Sequence, residues 1–149
     1  MHTTILRSLI FCALAGITGI LLSACAPSSG ALTVNETWAR PASKGENGAV
    51  YFVIRNDTAS EDALISAGTD IASTTEAHMS MLNDQGVASM QMQEAVMVPA
   101  GESVTFKPGD LHIMLVDLKK DLKVGDTFTL ILKFERAGEI TVQVEVREQ

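Results

Sequence analysis

The sequence predicts an all-β domain folded as a sandwich, and three observations carry that prediction. From residue 32 onward the chain breaks into short runs rich in Val, Ile, Thr, Phe and Leu, parted by Gly, Pro, Asn and Asp. In the last run Ile140, Val142, Val144 and Val146 alternate with Thr141, Gln143 and Glu145, the period of a strand with one buried and one wet face. No stretch after residue 25 joins helical periodicity to caps over three turns. Strands at this close spacing point to a sandwich.

Taken in order, strands are expected near 32–38, 48–56, 61–67, 74–82, 87–92, 94–98, 103–107, 111–118, 127–135 and 139–147. Trp38 and Arg40 at the end of the first are read as structural, with Trp38 in the core. In the second, Tyr51 and Val53 share one face while Phe52 and Ile54 share the other, so both faces carry packing residues. Met90 and Met92 share a face of the fifth. In 94–98 the run Ala95-Val96-Met97-Val98 makes Met97 a core filler. In 111–118, Leu111, Ile113 and Leu115 point to the core, and His112 and Met114 point the other way. The last two strands are the clearest, with Ala137-Gly138 in the turn between them.

The segment ahead of this domain has a different character. Met1 to Arg7 is short and basic, Ser8 to Leu22 is nearly all apolar, and Leu22-Ser23-Ala24-Cys25 follows. That is the layout of a signal peptide ending in a sequence that resembles a bacterial lipobox. The alternatives, a plain cleaved signal or a spanning anchor, fit less well: the apolar run falls short of the roughly 20 residues a spanning helix needs. The expected division is therefore a signal peptide at 1–24, a lipidated Cys25 with a flexible tether through 31, and one folded domain at 32–149. Two or more acyl chains on Cys25 would anchor the protein stably. It would then face the outside of a bacterial membrane, the periplasmic side in a two-membrane bacterium.

Loss of the leader removes Arg7 and no acid, so the formal charge moves from −7 to −8. Such a chain lacks the basic footprint that nucleic acid requires. Cys12 lies in the leader and Cys25 carries lipid, so no disulfide and no thiolate ligand remains.

Beyond the leader there are only two histidines and six methionines, and most of them gather in two clusters. One is His78-Met79-Ser80-Met81 with Met90-Gln91-Met92; the other is His112-Ile113-Met114. A His-x-Met pair on a strand sets an imidazole beside a thioether, and a second pair from nearby strands would complete four ligands. Soft sulfur with imidazole suits Cu(I), whereas zinc sites prefer thiolate, imidazole and carboxylate. A blue-copper electron carrier would need a thiolate. An enzyme would need a base for Ser80, Asp110 or Asp117, and both histidines are already offered to the metal. Glu76, Asp84, Glu94 and Asp110 read as a solvated acidic face. An adhesion module with incidental methionines is the bland alternative, and it would bind no copper.

The two clusters resemble the periplasmic copper(I) chaperones called PCuAC, whose pattern is H(M)-x10-M-x21-H-x-M. Here His78-Met79, ten residues, Met90, twenty-one residues and His112-Ile113-Met114 match it throughout. Trp38-Ala39-Arg40-Pro41, Ala49-Val50-Tyr51 through Asn56, Pro99-Ala100-Gly101, Pro108-Gly109 and Leu118 through Gly125-Asp126 extend the resemblance over roughly residues 32 to 147. It implies a cupredoxin-like Greek-key β-sandwich that is no enzyme and binds one Cu(I) through His78, Met90, His112 and Met114. Met79, Met81 and Met92 are auxiliaries, with Met79 and Met81 facing away from His78 if the strand is regular. The resemblance further implies a partner that receives copper, a cytochrome c oxidase subunit or another copper chaperone. A copper-buffering or resistance protein is the alternative. The His- and Met-rich C-terminal tail of some family members is absent here, since the chain ends Arg147-Glu148-Gln149.

Overall fold

A computed structural model describes residues 30–82 and 85–149. The leader, Cys25, the greater part of the tether and Asp84 lie outside the described residues. Ten strands follow in chain order: β1 (Leu32–Ala39), β2 (Gly48–Asn56), β3 (Asp62–Gly68), β4 (Ala72–Leu82), β5 (Ala88–Met92), β6 (Val96–Val98), β7 (Ser103–Phe106), β8 (Leu111–Leu118), β9 (Thr127–Phe134) and β10 (Gly138–Val146). Among the described residues no helix is long and apolar enough to cross a membrane. The strands form where the alternation placed them, with bounds differing by at most two residues.

The strands connect in the order β5-β4-β8-β2-β1-β10-β9-β3-β6, with β7 also paired to β2. This path curls into a cupredoxin-like β-sandwich. Its far part returns to the near part where the Thr75 hydroxyl of β4 donates to the Ala67 carbonyl of β3. The core lies between the two layers. In β9 the alternate residues Phe128, Leu130, Leu132 and Phe134 are buried, and Val144 and Val146 of β10 join them. Phe52 and Phe106 stack at 4.3 Å between centroids, a geometry that adds to their burial.

A bulge interrupts β1. Glu36 has φ 54°, and the register with β2 shifts between Asn35 and Trp38. The extra residue lets Trp38 and Ala39 pair in parallel with Glu145 and Val146 of β10 while they stay antiparallel to β2. Two sequence expectations fail at this level. Trp38 is half-buried on the outer face, packed on Tyr51 at 4.6 Å and capped by the Arg147 guanidinium at 5.1 Å, so it is structural but not a core residue. Met97 is 51% exposed: β6 ends the strand path and among the described residues pairs only with β3, and none of them covers the outer face on which Met97 stands between buried Val96 and Val98.

Two buried polar side chains fasten the turns. Asn56 donates to the carbonyls of Ser60 and Val98 and accepts from the Thr58 amide and hydroxyl. The Asp62 carboxylate accepts from the backbone N–H groups of Ala63, Arg136 and Ala137 at 2.8–2.9 Å, and so holds the β9–β10 turn against the start of β3. Burial pushes the Asp62 carboxyl up, but these three donors outweigh it and hold the group below the usual carboxylate range.

Candidate metal centre

Three neighbouring strands, β5, β4 and β8, carry the two clusters. The antiparallel register pairs His78 with Met92 on one side and with His112 on the other. Directly paired residues share a face, so Met92, His78 and His112 form one row across the sheet. Met114 lies beside this row, opposite Glu76, and Met90 lies on the other side, opposite Ser80. Adjacent strands are about 4.8 Å apart and residues along a strand about 3.3 Å, so the set spans roughly 10 Å across the three strands and roughly 13 Å along them from Met114 to Met90. The same register puts Met79 in a row with Gln91 and Leu111, and Met81 opposite Ser89, so both project from the opposite face.

The imidazoles are held from outside the row. His112 is 7% exposed, and its Nδ1 lies 3.0 Å from the Asp110 carbonyl oxygen. A carbonyl can only accept, so Nδ1 carries the proton and Nε2 keeps the lone pair. The Nε2 of His78 lies 2.8 Å from Oε2 of Glu76. Its Nδ1 is buried and has no hydrogen-bond partner, alone in this among the described side-chain nitrogens and oxygens. The two ring centroids are 6.0 Å apart with the planes tilted by 37°. With a metal–imidazole bond of about 2.0 Å, an ion shared by two rings lies about 3 Å from each centroid, so the separation is one that a bridging metal spans.

The thioethers are held unequally. Asn47 accepts from the Asp117 backbone N–H at 3.1 Å and donates to the Met114 sulfur at 3.7 Å, which orients that thioether next to His112. Met90 and Met92 lie on β5, every residue of which is exposed; they are 60% and 55% accessible. One side of the patch is therefore open to solvent and the other, at His112, is closed. Among the described residues no three His, Cys, Asp or Glu side chains gather to hold a metal. A metal here would have to take sulfur as well as nitrogen, the donor mixture that selects copper(I) over zinc.

The structure thus brings His78, His112, Met114, Met90 and Met92 to one face. Glu76 and Asn47 escape the sequence reading. Glu76 reads there as part of a solvated face, yet it is bonded to His78. A carboxylate two residues before a histidine on the same strand face was the available signal; nothing in the local sequence points to Asn47, which meets Met114 only through the fold.

Comparison with known proteins bears on the family and the fold. Residues 32–146 match the family described as "Putative lipoprotein LpqE-like". An uncharacterised protein of Rickettsia prowazekii is 34% identical over 125 residues, 80% of this chain and 68% of its own length. A protein of Leifsonia xyli subsp. xyli that carries a lipoprotein description is 26% identical over 98% of this chain and 92% of its own length. Among solved structures, the copper-bound PCuAC domain from PmoF2 superposes with a TM-score of 0.67 at 26% identity, covering 80% of this chain and 95% of that domain. CuI-DR1885 from Deinococcus radiodurans superposes with a TM-score of 0.59 at 28% identity, covering 81% of this chain and 83% of that protein. The chain belongs to the LpqE-like lipoprotein family, and its domain has the cupredoxin-like fold of the PCuAC domains.

Proposed function

We propose that this chain is an extracytoplasmic copper chaperone that holds one Cu(I) ion through His78, Met90, His112 and Met114 and passes it to another protein. The observation that carries the reading is the buried, unpartnered Nδ1 of His78 in a row with a second imidazole and a thioether. A buried acceptor without a partner costs about 1–3 kcal/mol, and a bound cation removes that cost. Two neutral imidazoles and two thioethers add no charge to a monovalent soft ion, which fits the donor preference of Cu(I). By similarity, the copper-bound PCuAC domain supports copper as the cargo and CuI-DR1885 supports its Cu(I) form.

X-ray absorption of the Cu(I) form tests this. Two nitrogen and two sulfur neighbours are expected, and His112→Ala should abolish tight binding; oxygen-rich coordination or binding unchanged in that variant would defeat the assignment. The register favours a second choice for the sulfur from β5, because Met92 and not Met90 lies directly opposite His78. Separate Met90→Ala and Met92→Ala titrations assign it.

Exposure of the β5 thioethers supports transfer over storage, since an incoming ligand can replace an accessible sulfur while both imidazoles still hold the ion. The copper centre of cytochrome c oxidase is the receiver we propose. Mixing the loaded protein with a soluble oxidase copper domain should move the metal, and a failure to move it would favour buffering. We further propose removal of residues 1–24, lipidation of Cys25, a tether through 31 and a folded domain from 32 to 149. Mass spectrometry of the N-terminal peptide should show acyl chains on Cys25 in the parent and none in Cys25→Ala; an unmodified Cys25 in the parent would defeat the anchor.

A further inference from the structure

We infer that Glu76 is a positioning residue for the metal centre: its carboxylate holds the Nε2–H of His78 and thereby makes Nδ1 the nitrogen that binds copper. The inference rests on the proposed copper site and specifies how one of its ligands is set.

The argument begins with the strand. Glu76 and His78 are two apart on β4, so their side chains rise from the same face as neighbours. Oε2 of Glu76 reaches Nε2 of His78 at 2.8 Å. An ionised carboxylate only accepts, so the hydrogen of a neutral imidazole lies on Nε2 and the lone pair on Nδ1. That Nδ1 is the buried nitrogen with no hydrogen-bond partner among the described residues. His112 is fixed in the opposite sense: its Nδ1 proton goes to the Asp110 carbonyl, so its Nε2 keeps the lone pair. The two rings therefore present different nitrogens to the ion they share, one near its own backbone and one at the far end of the ring. This accommodates two histidines that face each other directly across β4 and β8.

Glu76 could instead be read as a ligand. Its hard oxygen is mismatched to Cu(I), and the oxygen in question is already committed to His78. Glu76 acts through the imidazole: it fixes the tautomer and ring angle and raises the donor strength of Nδ1, as outer-shell carboxylates do for metal-bound histidines.

The test has two arms. In the metal-free protein, at a pH where His78 is neutral, nitrogen-15 NMR of the ring should show Nδ1 unprotonated and Nε2 protonated; a dominant Nδ1–H form would overturn the inference with no variant needed. Competition with a chromophoric Cu(I) chelator should then show Glu76→Ala weakening binding about 10- to 100-fold. Glu76→Gln, whose carbonyl can still accept from Nε2, should lose less, and Glu139→Ala on the exposed part of β10 should lose nothing. A folded Glu76→Ala that binds copper as tightly as the parent would also overturn it. Failure of the site itself would look different: the parent would not bind Cu(I), or would bind it with no dependence on His78.

Discussion

At the scale of single residues, the side chains that hold other groups in place can be tested one at a time. Asp62 shows how strongly one side chain can act at a distance from the metal. Its carboxyl is held below the usual range by three backbone donors, so it is ionised in the folded protein. The stability it contributes is fully present above the unfolded-state value of about 3.9 and is lost as pH falls through the lower folded value. Asp62→Ala should destabilise by about 3 kcal/mol, from lost charged hydrogen bonds and stranded N–H groups, measured by urea unfolding at neutral pH. Asp62→Asn should flatten the acid limb of the stability profile below about pH 4; an unchanged limb would show that other carboxylates set it. Asn47 is the corresponding case at the proposed metal site. Asn47→Ala removes the donor to the Met114 sulfur and should weaken Cu(I) binding several-fold while leaving its sulfur count unchanged, a combination that affinity and absorption measurements separate.

At the scale of elements, the strands were legible because burial on one face imposes a period of two, and β9 and β10 display it residue by residue. The test is positional. Leu130→Ala or Phe134→Ala should cost about 3–5 kcal/mol. Ile131→Ala, on the exposed side of the same strand, should cost less than about 1 kcal/mol, the ordinary scale of a surface change. Thermal unfolding of the three variants checks the contrast. What could not be read locally is which strands end the path. Met97 sits in a run as apolar as any core strand, and only the position of β6 beside β3 alone leaves it in water. Trp38 likewise depends on a bulge at Glu36 and on partners more than a hundred residues away. The proposed copper motif was legible as two residue types, His and Met, at four positions of fixed spacing. The row of Met92, His78 and His112 was not, because it is made by register between strands, and a shift of one residue would turn every donor to the other face.

At the scale of the whole molecule, the fold joins the proposed metal ligands to the sandwich asymmetrically. His112 and Met114 stand on β8, which is paired on both sides and packs Ile113 and Leu115 into the core. Met90 and Met92 stand on β5, which among the described residues pairs only with β4. Loading with copper should raise the unfolding temperature in proportion to the logarithm of free metal over its dissociation constant, and adding a strong chelator should return it to the metal-free value. The bound ion would link a strand from the rigid interior to one at the margin. That link gives β5 a second role as a record of occupancy. Without metal its amide protons are sheltered by one neighbour alone and should trade with deuterium rapidly, while those of β8 persist; with metal the two strands should exchange at more nearly equal rates. The deuterium uptake of residues 88–92 would then report, peptide by peptide, how much of the protein is carrying its ion.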